Sequence, residues 1–119
     1  MVNKVTLIGR LGESPELRET ENGKAVTNFS MVTTETYKDD KSESGFSETN
    51  EWHKVVTWGY NAEKASNYDK GTLVYVEGKL TTRKWEDKEG NTRYTTEVKA
   101  ESIKMLRKVG EPAQSSATA

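Results

Sequence analysis

Apolar and β-branched positions are dense at Asn50–Gly59, Asn-Glu-Trp-His-Lys-Val-Val-Thr-Trp-Gly. Its aromatic and β-branched residues predict a strand, and Gly59 ends it. Alternation along that strand sends Trp52, Lys54, Val56 and Trp58 to one face and His53, Val55 and Thr57 to the other. Upstream, Val2–Leu11 is rich in Val, Thr, Leu and Ile and predicts a first strand, with a bend or bulge at Gly9. Ser14-Pro15 opens an irregular extended stretch, and Asn22-Gly23 signals a tight primed turn. Ala25–Thr36 predicts the second strand, but its apolar residues fall on both faces and leave the register open. Lys38–Thr49 has no periodicity and reads as a mobile polar hairpin loop, with Phe46 its one large apolar residue.

Beyond the central strand, Ala62, Ala65 and Tyr68 recur at i, i+3 and i+6. They predict the chain's one helix, Asn61–Asp69, stopped at Lys70-Gly71. Thr72–Leu80 alternates Leu73, Tyr75, Glu77 and Lys79 against Thr72, Val74, Val76 and Gly78, a fourth strand with an extension to Trp85 left open. Asp87–Asn91 is a polar turn, and Arg93–Met105 is the last strand, with Tyr94, Thr96, Val98 and Ala100 on one side. The order is three strands, a short helix, then two strands. An all-β fold follows, and closure into a small barrel removes exposed sheet edges. The five-stranded Greek-key barrel of the OB-fold has its helix between strands three and four, where Asn61–Asp69 falls. Residues 1–109 read as this domain, and 110–119, small and polar, as a disordered tail.

At 119 residues the chain can bury a core without disulfides or a structural metal. It has no cysteine, which excludes disulfides, thiolate chemistry and cysteine-ligated zinc. A single histidine removes His-rich metal sites and leaves a Ser-His catalytic unit without support. No cofactor and no metal are expected. No apolar run approaches membrane-spanning length, and Met1-Val-Asn-Lys carries no signal-peptide pattern. The expected compartment is a reducing interior: cytoplasm, nucleoid or organelle matrix, without membrane attachment.

A formal charge of −1 looks poor for a nucleic-acid binder, yet the charge is unevenly spread. Leu11–Glu51 holds ten acidic and four basic residues, whereas 52–110 holds twelve basic and eight acidic. All three tryptophans fall in the more basic part. Trp52 and Trp58 sharing a face could simply be core, but Lys54 between them argues against it, because lysine is seldom buried unpaired. An aromatic platform beside a cation suits stacked bases and a phosphate backbone. A carbohydrate-binding module would also use tryptophans on a β-barrel, but has no need of Lys54, Arg83 and Lys84 among them. An enzyme would need paired carboxylates, and nothing in the spacing of Glu51, Glu77 and Glu97 brings two together. A binding protein without catalytic residues is the expectation.

Several separated motifs carry a resemblance. Val2-Asn-Lys-Val-Thr-Leu-Ile-Gly-Arg-Leu-Gly with Pro15-Glu-Leu-Arg, Glu51-Trp-His-Lys-Val-Val, Tyr75-Val-Glu-Gly-Lys-Leu, and Arg83-Lys-Trp with Tyr94-Thr-Thr-Glu-Val occur in order over residues 2 to 106. The chain resembles the bacterial and mitochondrial single-stranded DNA-binding protein family. The resemblance implies an OB-fold, usually a homotetramer, that coats single-stranded DNA without sequence preference in replication, recombination and repair. Its base-stacking aromatics fall on Trp52, Trp58, Trp85 and Tyr37. Tyr37 stands where tryptophan is usual and Trp58 where phenylalanine is, and both keep a π-face. Tyr37 could instead pack on its own hairpin loop.

Lys54, Arg83 and Lys84 lie nearest these aromatics in sequence, and Lys70 matches a basic position of the family. These are the expected backbone contacts, with Lys4, Arg10, Lys38 and Lys88 as further candidates. His53 resembles a histidine at the family's subunit contact. Bacterial members typically end in an acidic tip that recruits other genome-maintenance proteins. Gln114–Ala119 has no acid, so docking through such a tip is not expected of this chain.

Overall fold

The computed structural model describes residues 1–109. The tail expected over 110–119 lies outside the described residues. The strands are β1 (Val5–Leu11), β2 (Glu16–Glu19), β3 (Ala25–Lys38), β4 (Phe46–Trp58), β5 (Leu73–Glu86) and β6 (Thr92–Arg107), with helix α1 (Tyr60–Ala65) between β4 and β5. They form one sheet in the order β1-β5-β6-β4-β3-β2, and an additional β1–β3 pairing closes five of them into a barrel. All ladders are antiparallel except β4–β6, where Val55 and Val56 run parallel to Val98 and Lys99. This is the expected OB-fold, with its helix between the third and fourth barrel strands.

Alternation decides which side chains fill the barrel. Phe29 and Met31 of β3, Val55 of β4, Val74 and Val76 of β5, and Val98, Ala100 and Ile103 of β6 are all buried in one cluster. The register left open for β3 is thereby settled, with Thr27, Phe29 and Met31 inward. Two buried threonines keep their hydroxyls satisfied. Thr27 Oγ1 donates to the Ala62 carbonyl at 2.8 Å, and Thr57 Oγ1 to that of Ala100 at 3.2 Å. A buried hydroxyl without a partner would cost about 1–3 kcal/mol.

Close backbone approach explains two glycines. A Cβ on Gly9 would lie 2.3 Å from the Val32 carbonyl oxygen, where β1 crosses β3. A Cβ on Gly78 would lie 2.0 Å from the Lys99 carbonyl oxygen, beside a register shift at Glu77/Gly78. Gly9 is thus required for contact between strands, and the ladder from β1 to β5 runs through it without a break.

Four local expectations change. The hairpin loop read over Lys38–Thr49 is there but shorter, 39–45, since pairing runs from Val26↔Trp58 out to Lys38↔Phe46. Both faces of this arm meet water, so no alternation marks it. Its turn is built by Asp39, whose carboxylate accepts the Lys41 N–H at 3.0 Å and the Ser47 hydroxyl at 2.7 Å. Those two bonds, Ser47 first, lower its pKa from the ordinary aspartate value. The stretch after Ser14-Pro15 contains β2, four exposed residues that form a strand by pairing with β3 across the expected Asn22-Gly23 turn.

The helix is shorter than Asn61–Asp69. Ala62 and Ala65 are buried as the spacing predicts, but Ser66 Oγ and Asn67 Nδ2 both donate to the Glu63 carbonyl. Side-chain bonds of this kind compete with the helical ladder. Tyr68 still packs against the core from the turn beyond, and its burial there raises the phenol pKa. Finally, the first strand starts at Val5 rather than Val2. Asn3 nonetheless holds the chain to β5, donating from Nδ2 to the Leu80 carbonyl and accepting the Leu80 N–H, both at 2.9 Å.

Candidate nucleic-acid interface

Once Val55 and Thr57 face the core, Trp52, Lys54 and Trp58 must face outward. Trp52 is 61% exposed and Trp58 is 41% exposed. Val56, on the same face, is nevertheless buried at 7% exposure. It forms part of the floor of a groove of about 720 Å³ that is also lined by Lys54, Trp58, Asn28, Ser30 and Arg83. Glu13, Ser14, Glu16 and Arg18 form another part of its lining, contributed by β2 and the loop before it. The core reading of Trp52 and Trp58 therefore fails: large indoles left in water beside a cation are a binding surface or an uncompensated cost.

Trp52 is seated against backbone. A Cβ on Gly12 would come within 2.4 Å of its Cζ3, so the six-membered ring lies directly on that glycine. Gly12 is in turn fixed by its N–H, which donates to the Ser30 carbonyl at 2.9 Å. On the other side, Trp52 and Lys54 border a second hollow with Leu80 and Tyr94.

The β5–β6 hairpin brings Arg83 and Trp85 to one face, because they are two residues apart on one strand. Trp85 is 40% exposed. Its Nε1–H donates to Thr95 Oγ1 at 2.8 Å, which fixes the plane of the indole. Arg83 Nε lies 3.4 Å from Glu97 Oε1. Lys84 alternates to the opposite face, across from Tyr94, so the structure separates it from Trp85 and Arg83. The turn is held by Asp87, whose carboxylate accepts the Asn91 N–H and pairs with Arg93 at 3.0 Å. These contacts lower its pKa from the aspartate norm.

The remaining sequence candidates lie further out. Tyr37 is half-exposed on the β3–β4 arm, paired with Ser47, and borders neither hollow. Lys70 is exposed in the turn after α1, and its N–H donates to Ser14 Oγ on the rim of the groove. His53 points inward and bonds Thr33 Oγ1 through Nε2 at 2.9 Å. Lys4 pairs with Glu77 at 3.4 Å, and Arg10 donates to the Gly71 carbonyl at 2.9 Å. Glu77 has its pKa lowered by the Tyr75 hydroxyl and then by Lys4. Among the described residues no cluster of metal-ligating side chains occurs, and no helix is long and apolar enough to cross a membrane.

Sequence reasoning missed Gly12, Arg18, Thr95 and Glu97 as parts of this surface. Arg18 belongs to a strand that has no periodic signal. Thr95 and Glu97 were findable: the Asp87–Asn91 turn sets Trp85 against Arg93 and hence Arg83 against Thr95. Glu97 is then the diagonal neighbour of Arg83 on the same face.

A model of the single-strand binding protein family matches residues 2–106. Single-stranded DNA-binding protein 1 of Chlorobaculum tepidum is 47% identical over 107 residues, covering 88% of this chain and 65% of that protein. The chain thus spans a little under two thirds of that relative's length. The solved structure of the Plasmodium falciparum SSB complex with ssDNA matches with a TM-score of 0.76 at 30% identity, over 89% of this chain and 96% of that one. With the barrel, the outward tryptophans and the matched residues all in agreement, the chain belongs to the single-strand binding protein family.

Proposed function

We propose that this chain binds single-stranded DNA without sequence preference, through base stacking on Trp52, Trp58 and Trp85 and backbone contacts from Lys54 and Arg83. The observation that carries this reading is the outward face of β4, where two exposed indoles flank Lys54, and Lys54 and Trp58 line a groove that also contains Arg83. Each stacked base contributes about 1–3 kcal/mol, and every base offers a π-face, so selectivity among bases is small. Basic side chains on the backbone release counterions, so affinity falls with salt. Duplex hides the faces of its bases. Tyr37 extends the surface along the β3–β4 arm, while Lys70 and Lys84 make peripheral phosphate contacts from outside the groove. The reading needs no cofactor and involves no catalysis.

Assembly into a homo-oligomer, with four copies implied by the family, is part of the same proposal. Within the described chain, β1 pairs with β3 only at Arg10 and Leu11, so the β3-side edge of Val5–Gly9 has no ladder partner. Such an edge invites a strand from another copy. His53, which pairs with Met31 beside the β1–β3 contact, belongs to that interface. A cellular role in replication, recombination and repair, in cytoplasm or nucleoid, accords with such binding.

Titration with oligo(dT) over a salt series, read by tryptophan fluorescence, tests the binding. Strong quenching by single strands but not by duplex of equal length is expected. Equal quenching by both, or salt-independent binding, would overturn the stacking mechanism, and the latter would favour a carbohydrate-type site. Sedimentation at micromolar concentration tests assembly, where a monomer would refute it.

A further inference from the structure

The groove beneath Trp58 is not uniformly basic. Arg18, Lys54 and Arg83 line it, and so do Glu13, Glu16 and Glu97. A surface meant only to hold a polyanion gains nothing from three carboxylates in its wall. Glu97 is the best placed of them, since its side chain is only 14% exposed while that of its partner Arg83 is 57% exposed. Its position is fixed from two directions. The long β5–β6 ladder sets Glu97 opposite Thr81, and the Glu97 carbonyl accepts the Thr81 hydroxyl at 3.5 Å. The backbone that carries this carboxylate is therefore fixed, and the guanidinium is the more exposed member of the pair.

We propose that Glu97 is a built-in competitor for the phosphate backbone: it holds Arg83 when the groove is empty and limits affinity when the groove is filled. This inference rests on the single-strand-binding reading. Arg83 can reach a phosphate only by loosening its contact with Glu97, or by sharing its donors between two anions. Either way a negative charge stays beside a bound polyanion, and repulsion between them weakens the complex. Because Arg83 is largely exposed, such a term is modest, a few-fold in affinity. A small term of this kind shortens the residence of a strand without abolishing binding.

Glu97→Gln keeps the shape of the side chain and removes its charge. Oligo(dT) affinity is expected to rise about three- to fivefold at low salt. With Arg83 released to a phosphate, the slope of log K against log salt should steepen by about 0.7. A merely structural role for Glu97 would leave that slope unchanged. The gain should vanish when Glu97→Gln is made in an Arg83→Ala background, because the competition acts through that guanidinium. Unchanged or weaker binding by Glu97→Gln would overturn the proposal, as would a gain that persists without Arg83, which would mark a general field effect. If Glu97→Gln does not unfold at the native temperature, Glu97→Asp replaces it, with a smaller gain expected from the withdrawn carboxylate and no gain counting against the proposal. Failure of the unmodified chain to bind oligo(dT) would sink the binding reading itself, and is seen before any variant is made.

Discussion

The inward residues of β4 and the two tryptophans on its outward face meet opposite fates. Inward, Val55 and Thr57 are buried and packed or hydrogen-bonded on every side. Outward, Trp52 and Trp58 carry more apolar surface than either and remain in water. Side-chain size alone would predict the reverse, since aromatic residues have the most to gain from burial. The barrel is small, however, and its interior is filled by apolar side chains of five strands and the helix. Indoles displaced outward by a full core stay useful only if something else covers them. The inner face therefore holds the fold together, and the proposed function gives the outer face a ligand to meet.

If that division is right, substitutions on the two faces should change different quantities. The largest effect should come from Met31→Ala on the inner face, where the side chain is fully buried. A loss of about 2–5 kcal/mol of folding stability is expected, read by urea unfolding, with affinity per folded molecule unchanged. On the outer face, Trp52→Ala and Trp85→Ala should each weaken oligo(dT) binding by about 1–3 kcal/mol while unfolding at nearly the native temperature. A tryptophan variant that lost several kcal/mol of stability would collapse the distinction.

Gly12→Ala sharpens the comparison from the side of the backbone. Its Cβ would need the space that Trp52 Cζ3 occupies at 2.4 Å. The indole can swing away, so the fold should survive while affinity falls about three- to tenfold, near 1 kcal/mol. A shift in tryptophan emission in the DNA-free protein would report the displaced ring.

The smallest effect concerns pH at the tip of the arm that carries Trp85. Asp87 has its carboxyl pKa lowered by the Asn91 N–H first and by Arg93 next. Its contribution is present above the unfolded aspartate value of about 4 and is lost as pH falls through the lower folded value. The amides of Glu89 and Asn91 should therefore titrate together below about pH 4, and Asp87→Asn should remove that transition. The barrel core, with no ionisable group in its buried cluster, should show no such step at these residues. Amide shifts followed by NMR from pH 6 to 2 would decide it.

How much of this was legible beforehand follows from what each residue answers to. The strand at Asn50–Gly59 came from its aromatic and β-branched residues, and the shared face of Val74 and Val76 and the two helix alanines came from periodicity, because one side of each element faces an apolar core. The outward fate of Trp52 and Trp58 was legible from Lys54, whose charge resists burial. The outer end of the β3–β4 ladder, Lys38 and Phe46–Thr49, was not, because a ribbon wet on both faces imposes no pattern on its side chains. Nor was β2, whose four exposed residues are a strand only by virtue of the Ala25–Asn28 edge they pair with.

The site divides in the same way. Residue types and local alternation determined that aromatics and cations would share a surface. Only tertiary structure decided which of them share it: Arg83 joins Lys54 and Trp58 in one groove, while Lys84, its neighbour in sequence, is turned to the other face. Seating Trp52 on Gly12, forty positions earlier in the chain, required β1 to cross β3 and close the barrel. Pairing Glu97 with Arg83 required the register of a fourteen-pair hairpin ladder. Local periodicity records which way a side chain points, because that depends on its own backbone. It does not record what waits there, because that depends on where the barrel closes.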